Sequence, residues 1–305
     1  MAQKQVSDFC LGPDIINPMK QLRVVLAGLL CVATLSATAA NPPDVMIAQL
    51  SDTHLGEKHS PQAADNLRKA VEMINARHPD AVILSGDIGE RPENREQVKE
   101  ILKALTAPIF YVPGNHDFHD AKGLERYRKT FGRDYYRFQV KNVEVLALNS
   151  QILGNYQKFE GPTAPPLLDE LLPESQRMLA WLEEQVGPTK GKVVIAVQHI
   201  PLFRDKDFPD AKPYWTVNDP YAQRELDLLR KLGVKHLLAG HWHNARVFDH
   251  AGITTHVAPA TSWLPLGGQL GFAMHTVSAT GDLHTEFVYF PDAARQEPPA
   301  AAPDH

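Results

Sequence analysis

Cysteine is nearly absent from this chain: its 305 residues include two, Cys10 and Cys31. Both fall in an N-terminal stretch that reads as a removable leader, so none is expected in the mature protein. That excludes a disulfide framework, a nucleophilic thiol and a thiolate-held metal, and leaves nitrogen and oxygen as the only ligand atoms. Runs of Lys and Arg are missing too, and the formal net charge is -5. No stable nucleic-acid partner is expected, because binding to a phosphate backbone draws on clustered positive charge. Three of the 31 basic and two of the 36 acidic residues lie in the leader, which leaves 28 against 34, or -6, and the same conclusion.

A long apolar run is also lacking. Val24 to Leu35 is shorter than the roughly 20 apolar residues a spanning helix needs, and Thr34 interrupts it. Lys20 and Arg23 precede the run and Ala37-Thr38-Ala39 follows it, the order of a secretory signal with cleavage before Ala40. The expected division is a leader at 1–39, a domain at 40–290 and a disordered Pro- and Ala-rich tail at 291–305. Met19 is the expected true start, because Met1 to Pro18 is polar and holds two Pro and Gly12. Leu30 before Cys31 disfavours a lipoprotein. The mature protein is expected to be exported, periplasmic or secreted, without an integral membrane segment.

What remains is an ordinary globular composition, 43% apolar. Short apolar runs alternate with segments of helical period. Val45 to Leu50 reads as a strand, Pro61 to Ala76 as a helix, Ala81 to Leu84 as a strand, Glu93 to Leu105 as a helix and Pro108 to Val112 as a strand. A helix near Ala121 to Thr130 leads to strands at Tyr135 to Val140 and Val143 to Asn149. Lys141-Asn142 joins these as a hairpin, since Asn tolerates positive φ. Glu174 to Gln185 and Pro220 to Leu232 are helices, each followed by an apolar strand, Val193 to Val197 and Val234 to Ala239. Four more strands close the chain: Arg246 to Phe248, Ile253 to Val257, Phe272 to Val277 and Leu283 to Tyr289. Two α/β halves with antiparallel hairpins attached predict a mixed α/β (α+β) fold, a four-layer αββα sandwich. Leu153 to Leu172 and Phe203 to Asn218 are long irregular segments, expected to be walls or lids.

Five short segments each begin where a predicted strand ends. They are Asp52-Thr53-His54, Gly86-Asp87, Gly114-Asn115-His116-Asp117, Gln198-His199 and Gly240-His241-Trp242-His243. The C-terminal ends of strands are where an α/β fold gathers a site. Any one segment alone is a turn, a cap or a core histidine. Together they hold a full ligand set for two metal ions, with carboxylate, imidazole and carboxamide donors that suit Fe, Mn or Zn.

The pattern D-x-H, G-D, G-N-H-[DE], H and G-H-x-H, complete here, resembles that of the calcineurin-like metallophosphoesterases over roughly Val45 to Phe290. The resemblance implies that Asp52, His54, Asp87 and His243 bind one metal. It implies that Asn115, His199 and His241 bind the other, with Asp87 as the bridge. His116 would face the leaving oxygen and Asp117 would orient it. The two ions, divalent or mixed-valence, would share a hydroxide that attacks the phosphorus of a phosphoester substrate.

Branch features favour a phosphomonoesterase. The residue three after the bridging Asp is Glu90, where purple acid phosphatases have Tyr. The Gly-Asp-x-x-Asp-Arg pattern of the main protein Ser/Thr phosphatases is absent. Tyr135-Tyr136-Arg137-Phe138, Leu148-Asn149-Ser150-Gln151 and Gln198 to Phe203 look closer to the complete S/T-phosphatase type. Ser51 to Leu55 is similar to class III cyclic-nucleotide phosphodiesterases, which makes a diesterase the alternative. A non-catalytic binding protein on this fold would usually have lost a ligand or His116, and none is lost. Tyr214-Trp215 and Trp263 are read equally as pocket walls or buried anchors. His78, His236, His250, His256, His275 and His284 are read as surface or core residues, and His119 as a helix start.

Overall fold

Strand β1 (Val45–Leu50) alternates its side chains between two buried faces. Val45 and Ile47 point one way, and Ala48 and Leu50 the other. The same alternation repeats in β2 (Ala81–Ser85), β5 (Val143–Ala147) and β6 (Val193–Val197). Ile47, Ile83, Val145 and Ile195 meet between two sheets, while Leu84, Leu146 and Ala196 join helix residues outside. Burial on both faces is what a near-continuous apolar strand records.

The structure is a computed structural model that describes residues 44–157, 163–208, 210 and 212–297. The first sheet runs β11 (Leu283–Tyr289), β10 (Gly271–Val277), β1, β2, β3 (Ile109–Val112). The second runs β4 (Tyr136–Val140), β5, β6, β7 (His236–Ala239), β9 (Ile253–Val257), β8 (Arg246–His250). Strands β1, β2 and β3 are parallel, as are β5, β6, β7 and β9. Helices α1 (Ala63–Asn75) and α2 (Pro92–Leu102) are the crossovers of the first half. In the second half these are α4 (Leu172–Glu184) and α5 (Tyr221–Lys231), while α3 (Ala121–Phe131) links the two sheets. Helix α1 buries Ala63, Leu67, Ala70, Val71 and Ile74, a single stripe. Among the described residues no helix is long and apolar enough to cross a membrane.

The αββα sandwich is present; its last hairpin takes a place the sequence left open, and two details differ from the sequence expectation. The last hairpin, β10–β11, joins the first sheet, with β10 antiparallel to β1 from Val45↔Val277 to Gln49↔Ala273. In the β4–β5 turn it is Lys141 that has positive φ, 50°, rather than Asn142, and its Nζ lies 2.7 Å from Asp80 Oδ1. The tail keeps a defined path as far as residue 297, because Gly268 and Gln296 exchange backbone hydrogen bonds of 2.8 and 2.7 Å. Composition alone did not anticipate that a loop would supply partners for these backbone groups. The expected leader and residues 298–305 lie outside the described residues.

Candidate metal centre

The parallel strands of both sheets deliver their C-terminal ends to one place. Asp52 and His54 follow β1, Asp87 follows β2, Asn115 and His116 follow β3, His199 follows β6, and His241 and His243 follow β7. The loops stay tied where they leave the sheets: Asp52 N donates to Gly86 O (3.1 Å), His54 N to Asp87 O (2.9 Å) and Gly240 N to His199 O (2.8 Å).

Five of these residues have left-handed backbone: Asp52 (φ 52°), His54 (38°), Asp87 (54°), His241 (68°) and His243 (52°). Each such non-glycine costs on the order of 1–2 kcal/mol. The strain gathers in the ligand loops, where sharp reversals turn the side chains inward. The motif glycines serve close approach. A Cβ on Gly114 would collide with the Asp87 carboxylate, and one on Gly86 (φ 97°) would strike the His199 ring.

Asp52, His54, Asp87 and His243 form one buried cluster whose ligand atoms all lie within 4.8 Å of one another, and Asp87, His199 and His241 form a second. Asp87 belongs to both. His243 Nε2 is 3.2 Å from Asp52 Oδ1, His54 Nε2 is 3.4 Å from Asp87 Oδ2, and His199 Nε2 is 3.1 Å from that same oxygen. His54 Nε2 and His243 Nε2 are 3.2 Å apart.

Each histidine has its other ring nitrogen engaged. His199 Nδ1 reaches Ser85 O (2.6 Å), His243 Nδ1 reaches Trp263 O (2.8 Å), His241 Nε2 reaches Tyr214 O (2.9 Å), and His54 Nδ1 reaches Glu90 Oε1 (2.9 Å). A carbonyl or carboxylate behind the ring fixes the tautomer that leaves the inward nitrogen free to ligate. Asn115 Nδ2 donates to the Tyr214 hydroxyl at 3.1 Å, while its buried Oδ1 has no hydrogen-bond partner among the described residues. An orphaned acceptor of that kind is costly unless a cation fills the role.

The charges agree. Burial alone would raise the carboxyls of Asp52 and Asp87, but flanking histidines hold both below the usual range: His243 and His199 for Asp52, His199 and His116 for Asp87. Burial would lower His199, yet Asp87 and Asp52 bring it up to about 9. His241 is driven well below its usual value by burial and by His199. Two buried carboxylates thus hold positive charge among imidazoles, a place suited to cations. The residues present fit two metal ions: Asp52, His54, Asp87 and His243 would hold one, and Asp87, Asn115, His199 and His241 the other.

His116 lies at the mouth, a cavity of about 370 Å³ lined also by Lys58, His59, Asn115, Tyr156, Tyr214 and Trp263. Its backbone N donates to Asp87 Oδ1 at 2.9 Å. Burial works to lower His116, but Asp87 and Glu90 raise it to about 9.

Asp117 departs from its expected part. Its carboxylate accepts from the backbone N–H of Asp87 (3.0 Å), Ile88 (3.0 Å) and Gly114 (2.7 Å), and so clamps the two ligand loops together instead of orienting His116. Burial, joined by the Asp87 charge, pushes it up to about 6 despite those bonds. The group beside His116 Nδ1 is Glu90, at 3.3 Å. Sequence reasoning used Glu90 only as a departure from Tyr.

Within the segment expected as a wall or lid, Tyr214 lines the mouth and holds His241 and Asn115, and Trp215 O accepts from Trp242 Nε1 at 2.8 Å. Trp263 walls the mouth, stacked on His59 with ring centroids 5.5 Å apart. His119, expected as a helix start, lines the mouth instead, and Asp120 caps α3.

A two-sheet α/β sandwich with carboxylate and imidazole ligands gathered at its strand ends defines a class, the dinuclear metallohydrolases. The chain belongs to the calcineurin-like phosphoesterase family, whose model matches residues 45–245. It is 30% identical over 224 residues to the serine/threonine-protein phosphatase CPPED1 of Homo sapiens, covering 68% of this chain and 66% of that protein, just under two thirds of its length. A probable cyclic nucleotide phosphodiesterase of Fibrobacter succinogenes is 25% identical over 229 residues, 70% of this chain and 79% of that one. The crystal structure of a dimetal phosphatase from Danio rerio shares the fold with a TM-score of 0.59, at 16% identity over 84% of this chain and 97% of the other.

Proposed function

We propose that this protein is a dinuclear-metal phosphomonoesterase. The observation that carries the reading is the pair of buried ligand clusters sharing Asp87, with His116 beside them at the mouth. Asp52, His54, Asp87, Asn115, His199, His241 and His243 would hold two cations there, whose charge would neutralise phosphoryl oxygens and acidify the attacking water. Asp87 reaches both clusters and so sets their spacing. Asn115, turned by Tyr214, presents its amide oxygen. His116, tethered through its backbone N to Asp87, faces the mouth and hands a proton to the departing alkoxide. No side chain need form a covalent intermediate.

The monoester reading is supported by the human relative named a phosphatase, and a diester reading by the relative named a cyclic nucleotide phosphodiesterase. Turnover of p-nitrophenyl phosphate against its bis ester decides between them, and a strong preference for the bis ester reverses the order. Asp87→Asn is expected to lower turnover by more than about 100-fold, and a variant as fast as wild type would sink the mechanism. Nitrogen and oxygen donors point to Mn, Fe or Zn, which elemental analysis of protein from its own source resolves. The leader pattern supports export, and a mature N-terminus at Ala40 in the exported fraction is the expected mass-spectrometric result.

A further inference from the structure

The mouth has a neighbour. His59 and Trp263, which wall it, also line a second cavity of about 480 Å³, so their stacked rings, with planes 21° apart, form the partition between the two. Trp263 is set by the ligand loops: its O meets His243 Nδ1 at 2.8 Å, and Ser262 Oγ beside it donates to Asp52 O at 2.6 Å. The second cavity therefore begins behind residues tied to the first ligand cluster.

Helix α1 supplies one wall of it. Gln62, just before the helix, Asn66 and Lys69 fall at positions i, i+4 and i+7, one stripe, while Ala63, Leu67 and Ala70 turn to the core. The stripe starts three residues after His59 and so leads away from the mouth. The tail supplies another wall, where Gln296 is held by its backbone pairing with Gly268, and Asp292 meets Lys69 Nζ at 2.8 Å. Leu264, Leu270 and Phe290 add apolar surface.

The side-chain amides of Gln62, Asn66 and Gln296 have no hydrogen-bond partner among the described residues. Each offers donors and an acceptor together, and a hydroxyl matches that because it also donates and accepts. The C–H groups of a hydroxylated ring suit the apolar surface beside the amides. Lys69 and Asp292, already paired, offer a charged leaving group no net counter-charge. A phosphopeptide fits less well, since its chain must continue in two directions and α1 and the tail bound the space. We infer that this cavity is the leaving-group subsite and that the substrate is the phosphate ester of a sugar, whose phosphate lies at the ligand clusters and whose ring passes the edge of Trp263 to reach the amides. Water replaces the sugar oxygen on phosphorus, and the sugar departs as its alcohol with the proton it receives. The inference rests on the phosphoesterase reading for the bond that breaks, but not for the binding of the sugar.

The test compares glucose, mannose and galactose 6-phosphates with ethyl phosphate and a phosphoserine tetrapeptide, all with alkoxide leaving groups, on the full zinc-loaded protein. Wild type is expected to favour the best hexose ester over ethyl phosphate by roughly 10-fold or more in kcat/KM, mostly through KM, and Gln62→Leu and Asn66→Leu each to cut that ratio about 5-fold, the scale of one lost hydrogen bond. Neither side chain belongs to the core, so both variants keep the fold. Saturation-transfer NMR of the corresponding methyl hexoside reads the subsite without turnover, with signals expected in wild type and weakened in both variants. A ratio near one in wild type, a ratio unmoved in both variants, or a preference for the phosphoserine peptide would each overturn the inference. A wild type inert toward every phosphoester overturns the proposed function instead, and the hexoside signals then still decide whether the cavity binds a sugar.

Discussion

Asn115 and His241 converge on one residue, Tyr214: the amide donates to its hydroxyl at 3.1 Å and the imidazole meets its carbonyl at 2.9 Å. A histidine of the second cluster and the candidate ligand Asn115 are thus aimed by a backbone atom and a side chain of the same residue, in the segment Pro213–Trp215.

Tyr214→Phe separates these contacts, because it deletes the hydroxyl and keeps the carbonyl. Affinity for the metal at the Asn115 half is expected to fall about 10-fold, the usual scale for a lost partner behind a ligand, while the Asp52, His54 and His243 half binds as before. Competition with a metal-binding dye reads the two steps separately, and two unchanged affinities would refute the role of Tyr214.

Gly86→Ala places a methyl on a residue at φ 97°, 2.8 Å from Gly114 Cα and against the His199 ring. Urea unfolding is expected to show a loss on the order of 1–3 kcal/mol. A midpoint equal to wild type would mean that the second and third ligand loops are not packed as described.

Acid stability depends on a polar chain between the sheets. His236 Nδ1 meets His256 Nε2 at 3.1 Å, His256 and His275 both meet Thr285 Oγ1 at 2.8 Å, and His275 Nε2 meets Gln49 Oε1 at 2.9 Å. Burial, then the His236 neighbour, lowers His256 to about 4, and His275 also lies well below its usual value. A folded value below the unfolded 6.5 means that the unfolded chain takes up protons first. Stability is therefore full above pH 6.5 and declines as pH falls toward 4, by as much as about 3 kcal/mol from His256 alone. His256→Gln should flatten the slope of unfolding free energy over that window, and an unaltered slope would exclude His256 as its source.

Glu225 behaves in the opposite sense. It is wholly buried in α5, neither carboxyl oxygen has a hydrogen-bond partner among the described residues, and burial raises it to about 8. Its folded value stands above the unfolded 4.5, so it costs nothing below pH 4.5 and destabilises increasingly as pH rises toward 8. Glu225→Leu is expected to raise the unfolding free energy at pH 8 by on the order of 1–3 kcal/mol and to leave it nearly unchanged at pH 5. A variant less stable at pH 8 would show that the carboxyl is paired in solution.

By itself the sequence determined the strands, their order along the chain and the ligand types. Val45–Leu50 and Val193–Val197 coincide with the apolar runs that predicted them, because a strand buried on both faces writes its burial into consecutive residues, and Ile253–Val257 and Leu283–Tyr289 keep their expected bounds as well. The candidate ligands were legible because each follows a strand within a few positions, and the structure brings Asp52, His54, Asp87, His199, His241 and His243 into two clusters that share Asp87. Tertiary structure decided what depends on approach between distant segments. The hairpin β10–β11 sits beside β1, and Gln296 pairs with Gly268, through backbone bonds that side-chain patterns do not encode. Asp117, next to His116 in sequence, turns toward three backbone N–H groups, and Glu90, 26 positions away, takes the place beside the ring. Adjacency along the chain sets which residues are near the site, but the direction of each short side chain follows from left-handed loop backbones that only the packed sheets impose.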